Sequence, residues 1–159
     1  MSSIIRHRIF FSGNQKQVDV FLRSVRDRKK KTLFDFNKII PIPDTVYNGV
    51  LNADALATHG DNNWYEWCKQ NWGTHNNAYN PKLFGNMLEF ETNCGVPRPI
   101  FKKITELYPE IEISINYANE DGSIVGKEAY SCGEFRIVEG TSDQEILSSL
   151  WSEGNVTFL

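Results

Sequence analysis

Ile111-Glu112-Ile113-Ser114-Ile115-Asn116-Tyr117 alternates apolar and polar side chains without a break. A period of two puts all four apolar residues on one face of an extended strand, and that face needs a cover. Two segments supply one. Val18, Phe21, Leu22 and Val25 recur at helical spacing behind Asn14, a good cap, while Lys16, Asp19, Arg23 and Arg26 take the solvent side. Pro97-Arg98-Pro99 opens a second helix with Ile100, Ile104 and Leu107 spaced for burial, stopping at Tyr108-Pro109.

Further strands are predicted over Ile4 to Ser12, closed by Ser12-Gly13, and over Thr32 to Asn37, which runs into Lys38-Ile39-Ile40-Pro41-Ile42-Pro43. Asn86 to Thr92 alternates, with Met87 or Leu88 and Phe90 inward and Glu89 and Glu91 outward. Asn119-Glu120-Asp121-Gly122 has turn chemistry for a hairpin into Ser123 to Ser131, with a short strand to follow through Phe135 to Val138. Residues 44–81 shift toward Asn, Asp and Gly with embedded aromatics. They read as an excursion holding short helices, the best being Trp64 to Gln70, capped by Asp61, Asn62 or Asn63 and ended by Gly73. Ser142-Asp143-Gln144-Glu145 is a capping box for a last helix over about 143–153, with Ile146, Leu147, Leu150 and Trp151 on one side and Gly154 beyond its end.

This order is a split β-α-β: an α+β, ferredoxin-like antiparallel sheet with helices on one face, a helical insertion after the second strand and an extra C-terminal helix. At 159 residues the chain fits a single domain, with a core over about 4–138 and the insertion over about 44–81. No apolar run approaches the roughly 20 residues that span a bilayer. The start Met1-Ser2-Ser3-Ile4-Ile5-Arg6-His7-Arg8 turns basic where a secretory signal would stay apolar, so the expected compartment is the cytoplasm. The Asn155-Val156-Thr157 sequon then carries no meaning. Cys68, Cys94 and Cys132 are odd in number and lack a Cys-x-x-Cys pair, which suits reduced thiols and argues against a disulfide frame, a zinc site or an iron-sulfur cluster.

The combination Phe36-Asn37-Lys38-Ile39-Ile40-Pro41-Ile42-Pro43, Trp67 with Trp72-Gly73-Thr74, Asn76 and Ala78, Phe90-Glu91-Thr92 followed by Pro97, and Tyr108-Pro109 with Tyr117 and Gly126 resembles the YubB ferredoxin-like domain family. The resemblance covers roughly Arg6 to Phe135 and leaves the C-terminal helix outside. Two features depart from it: Asn93-Cys94-Gly95 stands where a tryptophan is expected, and the element after Trp72-Gly73-Thr74 is short of basic residues. The resemblance implies no catalytic residue. It implies a phage or plasmid accessory protein that works in a bacterial host by binding host machinery.

Candidate partner-binding residues fall in three groups. Trp64 and Tyr65, with Trp67, Trp72 and Tyr79, form an aromatic cluster of the kind that dominates interface energetics, although indoles in an inserted segment usually glue it to the domain. Arg23, Arg26, Arg28, Lys29, Lys30 and Lys31 are dense enough to neutralise phosphates, and they also complement a helix C-terminus. Residues 1–40 hold ten Lys/Arg against three Asp/Glu, while the remainder holds seven against seventeen. That acidic remainder, including Glu89, Glu91, Glu110, Glu112, Glu120 and Asp121, is a candidate mimic of nucleic acid or an ordinary set of outward positions.

Chemistry-bearing motifs are sparse. His7, His59 and His75 with the three cysteines allow a Cys/His pair only if folding brings them together, and His59, Asp61 and His75 are loosely spaced for metal ligation. Gly122 to Gly126-Lys127-Glu128 fails the phosphate-loop pattern. The reading is therefore non-enzymatic, without catalytic residue, cofactor or metal: a protein that binds and inhibits a host defence complex of nuclease type, protein or ribonucleoprotein. The alternative is a nucleic-acid-binding module that uses the basic tract.

Overall fold

In the computed structural model, which describes residues 4–152, β1 (Ile4–Gly13) forms the middle of the sheet because both of its edges are paired. Its hydrogen-bonded neighbours are β3 (Met87–Asn93) and β4 (Ile111–Asn119), both antiparallel. With β2 (Tyr79–Phe84), β5 (Val125–Ser131) and β6 (Glu134–Ile137), the six strands run in the order β2-β3-β1-β4-β5-β6. The first four in that order, with α1 (Gln15–Ser24) and α4 (Arg98–Leu107), are the split β-α-β unit. Strands β5 and β6 extend it beyond β4.

Alternation decides which face is dry. Ile5, Ile9 and Phe11 of β1, Leu88 and Phe90 of β3 and Ile111, Ile113 and Ile115 of β4 are buried on one side, against Val18, Phe21 and Leu22 of α1 and Ile100, Phe101 and Ile104 of α4. Each such side chain contributes about 1.5–3 kcal/mol of burial. Asn14 caps α1 as expected, its Oδ1 accepting the backbone N–H of Lys16 and Gln17. Leu107, expected inward, is exposed. At 100° per residue it falls a quarter turn from the stripe centred between Phe101 and Ile104, and the helix ends there.

The expected strand at Thr32 to Asn37 is absent. Asp35 is buried and caps a 3-10 turn over Phe36–Lys38, its Oδ1 accepting the N–H of Asn37 at 2.9 Å, and Asn37 Oδ1 in turn accepts from Ile42 N–H at 3.1 Å. Side-chain acceptors thus take the donors that a strand would offer to the sheet. Phe34 and Phe36 are both buried, meeting edge to face at 5.3 Å, so the residues read as strand are a core-filling loop. The sheet's second strand in chain order is β2, and the helical excursion, with α2 (Ala53–His59) and α3 (Trp64–Asn71), precedes it.

The last helix, α5 (Asp143–Trp151), has the predicted capping box and packs on the opposite face of the sheet. Ile146 and Leu150 close over Ala118, the guanidinium of Arg6 lies 3.9 Å from the Trp151 ring, and Trp151 Nε1 donates to the Ala118 carbonyl at 2.8 Å. Gly154, Asn155-Val156-Thr157 and Met1-Ser2-Ser3 lie outside the described residues. Among the described residues no helix is long and apolar enough to cross a membrane.

Candidate functional site

Beyond α1 the chain reverses in a turn whose geometry depends on Asp27. The backbones of Asp27 and Thr32 exchange two hydrogen bonds of 3.1 Å, and Asp27 Oδ1 accepts the N–H groups of Lys29 and Lys30 at 2.9 and 3.1 Å. The Lys30 N–H foremost, with that of Lys29, holds the Asp27 carboxyl below its ordinary range. Lys31 sits at φ 54, a left-handed conformation, which lets the turn close. Arg23, Arg26, Arg28, Lys29, Lys30 and Lys31 are all exposed around it, and a hollow of about 410 Å³ opens between Arg23, Arg26, Arg28, Lys31, Thr32 and Leu33.

Only Lys30 of these cations approaches a carboxylate, that of Asp35, at 4.0 Å. Among the described residues Arg23, Arg26, Arg28, Lys29 and Lys31 have no acidic group within that distance. Five cations crowded without partners repel one another and attract any polyanion.

The aromatic cluster is divided between core and surface. Trp72 is fully buried, meets Phe36 at 5.5 Å and Trp67 at 5.5 Å, and donates Nε1–H to the Ile40 carbonyl at 2.9 Å. It holds the excursion to the domain. Gly73 follows at φ 77, and Gly95 packs so closely on it that a Cβ there would overlap the Gly73 carbonyl oxygen. Trp64 is half-buried and donates to the Gly49 carbonyl, while the Tyr65 hydroxyl hydrogen-bonds His75 Nδ1 at 3.0 Å. Glu89 and Glu91 do point away from the helices, but Arg8 holds Glu89 at 3.0 Å and Arg6 approaches Glu91 at 3.9 Å. These two carboxylates are largely neutralised by their cross-strand neighbours.

A family model described as the ferredoxin-like domain in Api92-like protein matches residues 69–153. The chain belongs to that family. The match begins inside α3 and takes in α5, whereas the YubB likeness drawn from the residues runs from Arg6 to Phe135; the family found is the Api92-like one. A crystal structure of protein api92 from Yersinia pseudotuberculosis is similar at 14% identity and a TM-score of 0.41, covering 50% of this chain and 32% of that one. The chain thus spans about a third of that protein's length. No curated protein matches the chain.

Inside this Api92-like domain lies a polar cluster that sequence reading missed. Glu128 is buried on the helix-covered face, its Oε1 accepting Arg98 Nε–H at 2.8 Å and the Tyr117 hydroxyl at 3.3 Å, its Oε2 the Tyr130 hydroxyl at 3.0 Å. Burial first, and the Glu128 charge second, push both tyrosines above their ordinary range. Gly126 makes room for this: a Cβ there would overlap the Tyr117 hydroxyl. The alternation of Gly126, Glu128 and Tyr130 was the available signal, since it puts them on one face.

The thiols and imidazoles stand apart. Cys68 is buried and its thiol is pushed up to about 11, the reverse of an activated nucleophile, while Cys94 and Cys132 are exposed. His59 stacks on Tyr47 at 4.1 Å, His75 serves Tyr65, and His7 is buried with neither nitrogen in a well-formed hydrogen bond. Among the described residues no three His, Cys, Asp or Glu side chains converge as metal ligands.

Proposed function

We propose that this chain is a non-enzymatic binding protein, an accessory factor of a mobile element acting in the cytoplasm of a bacterial host, and that its cationic turn grips a nucleic-acid backbone. The observation that carries this is the set of five unpartnered cations around a turn pre-formed by Asp27. A phosphate chain is the polyanion that rewards such density, because each neutralised phosphate releases counterions. The mobile-element setting draws on the YubB likeness in Asn37 to Pro43 and Trp72-Gly73-Thr74. The test is binding of labelled DNA and RNA duplexes across a salt series. Arg26→Ala/Arg28→Ala/Lys29→Ala is expected to weaken binding to every sequence alike and to lower the salt slope by about 0.9 per lost phosphate contact. No binding at low salt, or binding indifferent to these changes, overturns the reading.

A second reading, inhibition of a host defence nuclease complex through protein contacts, draws on the outer edge of β6, which no strand among the described residues pairs and where Phe135 and Ile137 are exposed. Unpaired strand edges bearing apolar side chains are sites of strand addition. Capture of a defined nuclease subunit that survives nuclease treatment and is lost in Phe135→Lys/Ile137→Lys favours it; capture that vanishes with the nucleic acid removes it.

A further inference from the structure

The cations of the turn border a concavity. Arg23 in the last turn of α1, Arg26 beyond it, and Arg28 and Lys31 in the turn line one hollow of about 410 Å³, which Thr32 and Leu33 complete. That volume lies inside the roughly 300–1,000 Å³ of clefts that hold small ligands. Against the four cations stands one carboxylate, that of Asp27, whose Oδ1 already accepts the N–H groups of Lys29 and Lys30. Lys38, exposed on the 3-10 turn, adds a charge from outside the tract. It is near enough to act on Asp27 and has no carboxylate within 4.0 Å among the described residues.

Concavity and charge together select the anion. An internal phosphodiester carries one charge and two free oxygens, and a backbone laid across a surface is best met by cations spread along it. A phosphomonoester carries three free oxygens and about 1.5 to 2 negative charges at pH 7. Three of the four cations around the hollow are arginines, and each planar guanidinium can take two phosphate oxygens at once. Three such forks around one concavity exceed what the two oxygens of a diester can accept. Leu33, half-buried in the wall, gives an apolar surface for the sugar or base that carries the phosphate.

We propose that this hollow seats the terminal phosphate of a nucleic-acid strand, with Arg23, Arg26 and Arg28 as its forks, Lys31 as a point charge and Lys38 on the backbone leading away. It rests on the nucleic-acid reading above for the class of partner and adds which phosphate is held, the one at the end.

Fluorescence anisotropy of the full chain tests this with one internally labelled duplex made with a 5′-phosphate, with a 3′-phosphate or with hydroxyl ends alone. One of the phosphorylated forms is expected to bind about tenfold more tightly than the hydroxyl-ended form, the low end for one hydrogen bond to a charged group. Arg23→Ala/Arg28→Ala should abolish that preference, while Lys38→Ala should weaken all three forms alike. These positions are exposed, so unchanged circular dichroism and melting separate lost binding from misfolding. Equal affinity for the three forms, or a preference untouched by Arg23→Ala/Arg28→Ala, overturns the end seat while leaving the turn as a grip on the backbone. A phosphoserine peptide bound as tightly as the phosphorylated duplex overturns nucleic acid as the occupant of the hollow, and no binding of any probe at low salt overturns both proposals.

Discussion

The imidazole of His7 lies parallel to the phenyl ring of Phe90, 4.8 Å between centroids and 7° between planes, with neither nitrogen in a well-formed hydrogen bond. Burial holds the ring neutral by lowering its pKa from 6.5 to about 3. The unfolded chain takes up a proton near pH 6.5 and the folded chain does not, so stability is full above that pH and falls as pH drops toward 3. The ceiling of the loss is about 5 kcal/mol, from 1.36 kcal/mol per unit. Urea denaturation across this window should show His7→Phe with a flatter profile than the native chain. Parallel profiles would assign the acid sensitivity elsewhere.

Glu128 holds three donors in a dry site, so removing it strands them. Glu128→Ala is expected to cost about 3 kcal/mol, the low end for breaking a buried pair, because the Arg98 side chain is 49% exposed and can rehydrate. Tyr130→Phe should cost about 1 kcal/mol, one hydrogen bond. Denaturant midpoints decide. A loss for Glu128→Ala no greater than for Tyr130→Phe would show the carboxylate to be dispensable.

In alkali the same cluster sets a limit. Tyr117 and Tyr130 remain protonated in the fold above the pH at which they ionise in the unfolded chain, so their contribution is complete below about pH 10 and is lost as pH rises beyond it. Spectrophotometric titration should find three of the six tyrosines ionising late, Tyr79 because burial raises it as well, and Tyr117 and Tyr130 together with unfolding. Tyr130→Phe should remove one late step. Six equivalent titrations would contradict the burial of these rings.

Two glycines hold space for a neighbour rather than flexibility for themselves. In Gly126→Ala the new methyl meets the Tyr117 hydroxyl, a side-chain tip that can swing, at a cost of about 1–3 kcal/mol. In Gly95→Ala it meets the Gly73 carbonyl, which is backbone, so the larger loss is expected there. Thermal melts of the two variants rank them. The reverse order would mean that the Trp72-Gly73-Thr74 turn yields more easily than the Tyr117 ring.

Local signals were legible where a segment's own residues decide its shape. The alternation of β4, the Asn14 cap and the Ser142 capping box each work through neighbours within four residues, and each appears where the sequence puts it. β2 was hidden because Asn80 and Pro81 look like loop. It is an edge strand with a register shift between Tyr79 and Lys82, which tolerates both residues. The false strand at Thr32 to Asn37 failed for the converse reason, since aromatic residues fill a core from a loop as well as from a ladder. For the candidate sites, charge density was readable along the chain, whereas the pairing of Arg98 and Tyr117 with Glu128 exists only across folded distances.

The placement of β1 sets the timing of assembly. Ile9 faces Leu88 on one side and Ile115 on the other, both far downstream. As a nascent chain leaves the ribosome, β1 and its apolar face emerge with neither neighbour yet made. Only the synthesis of β4 permits closure on both flanks, and contacts so distant along the chain are slow to form. Until then the strand keeps at least one open edge, the state most exposed to pairing with another molecule, so brief chaperone cover until Asn119 has emerged would raise the yield of folded protein.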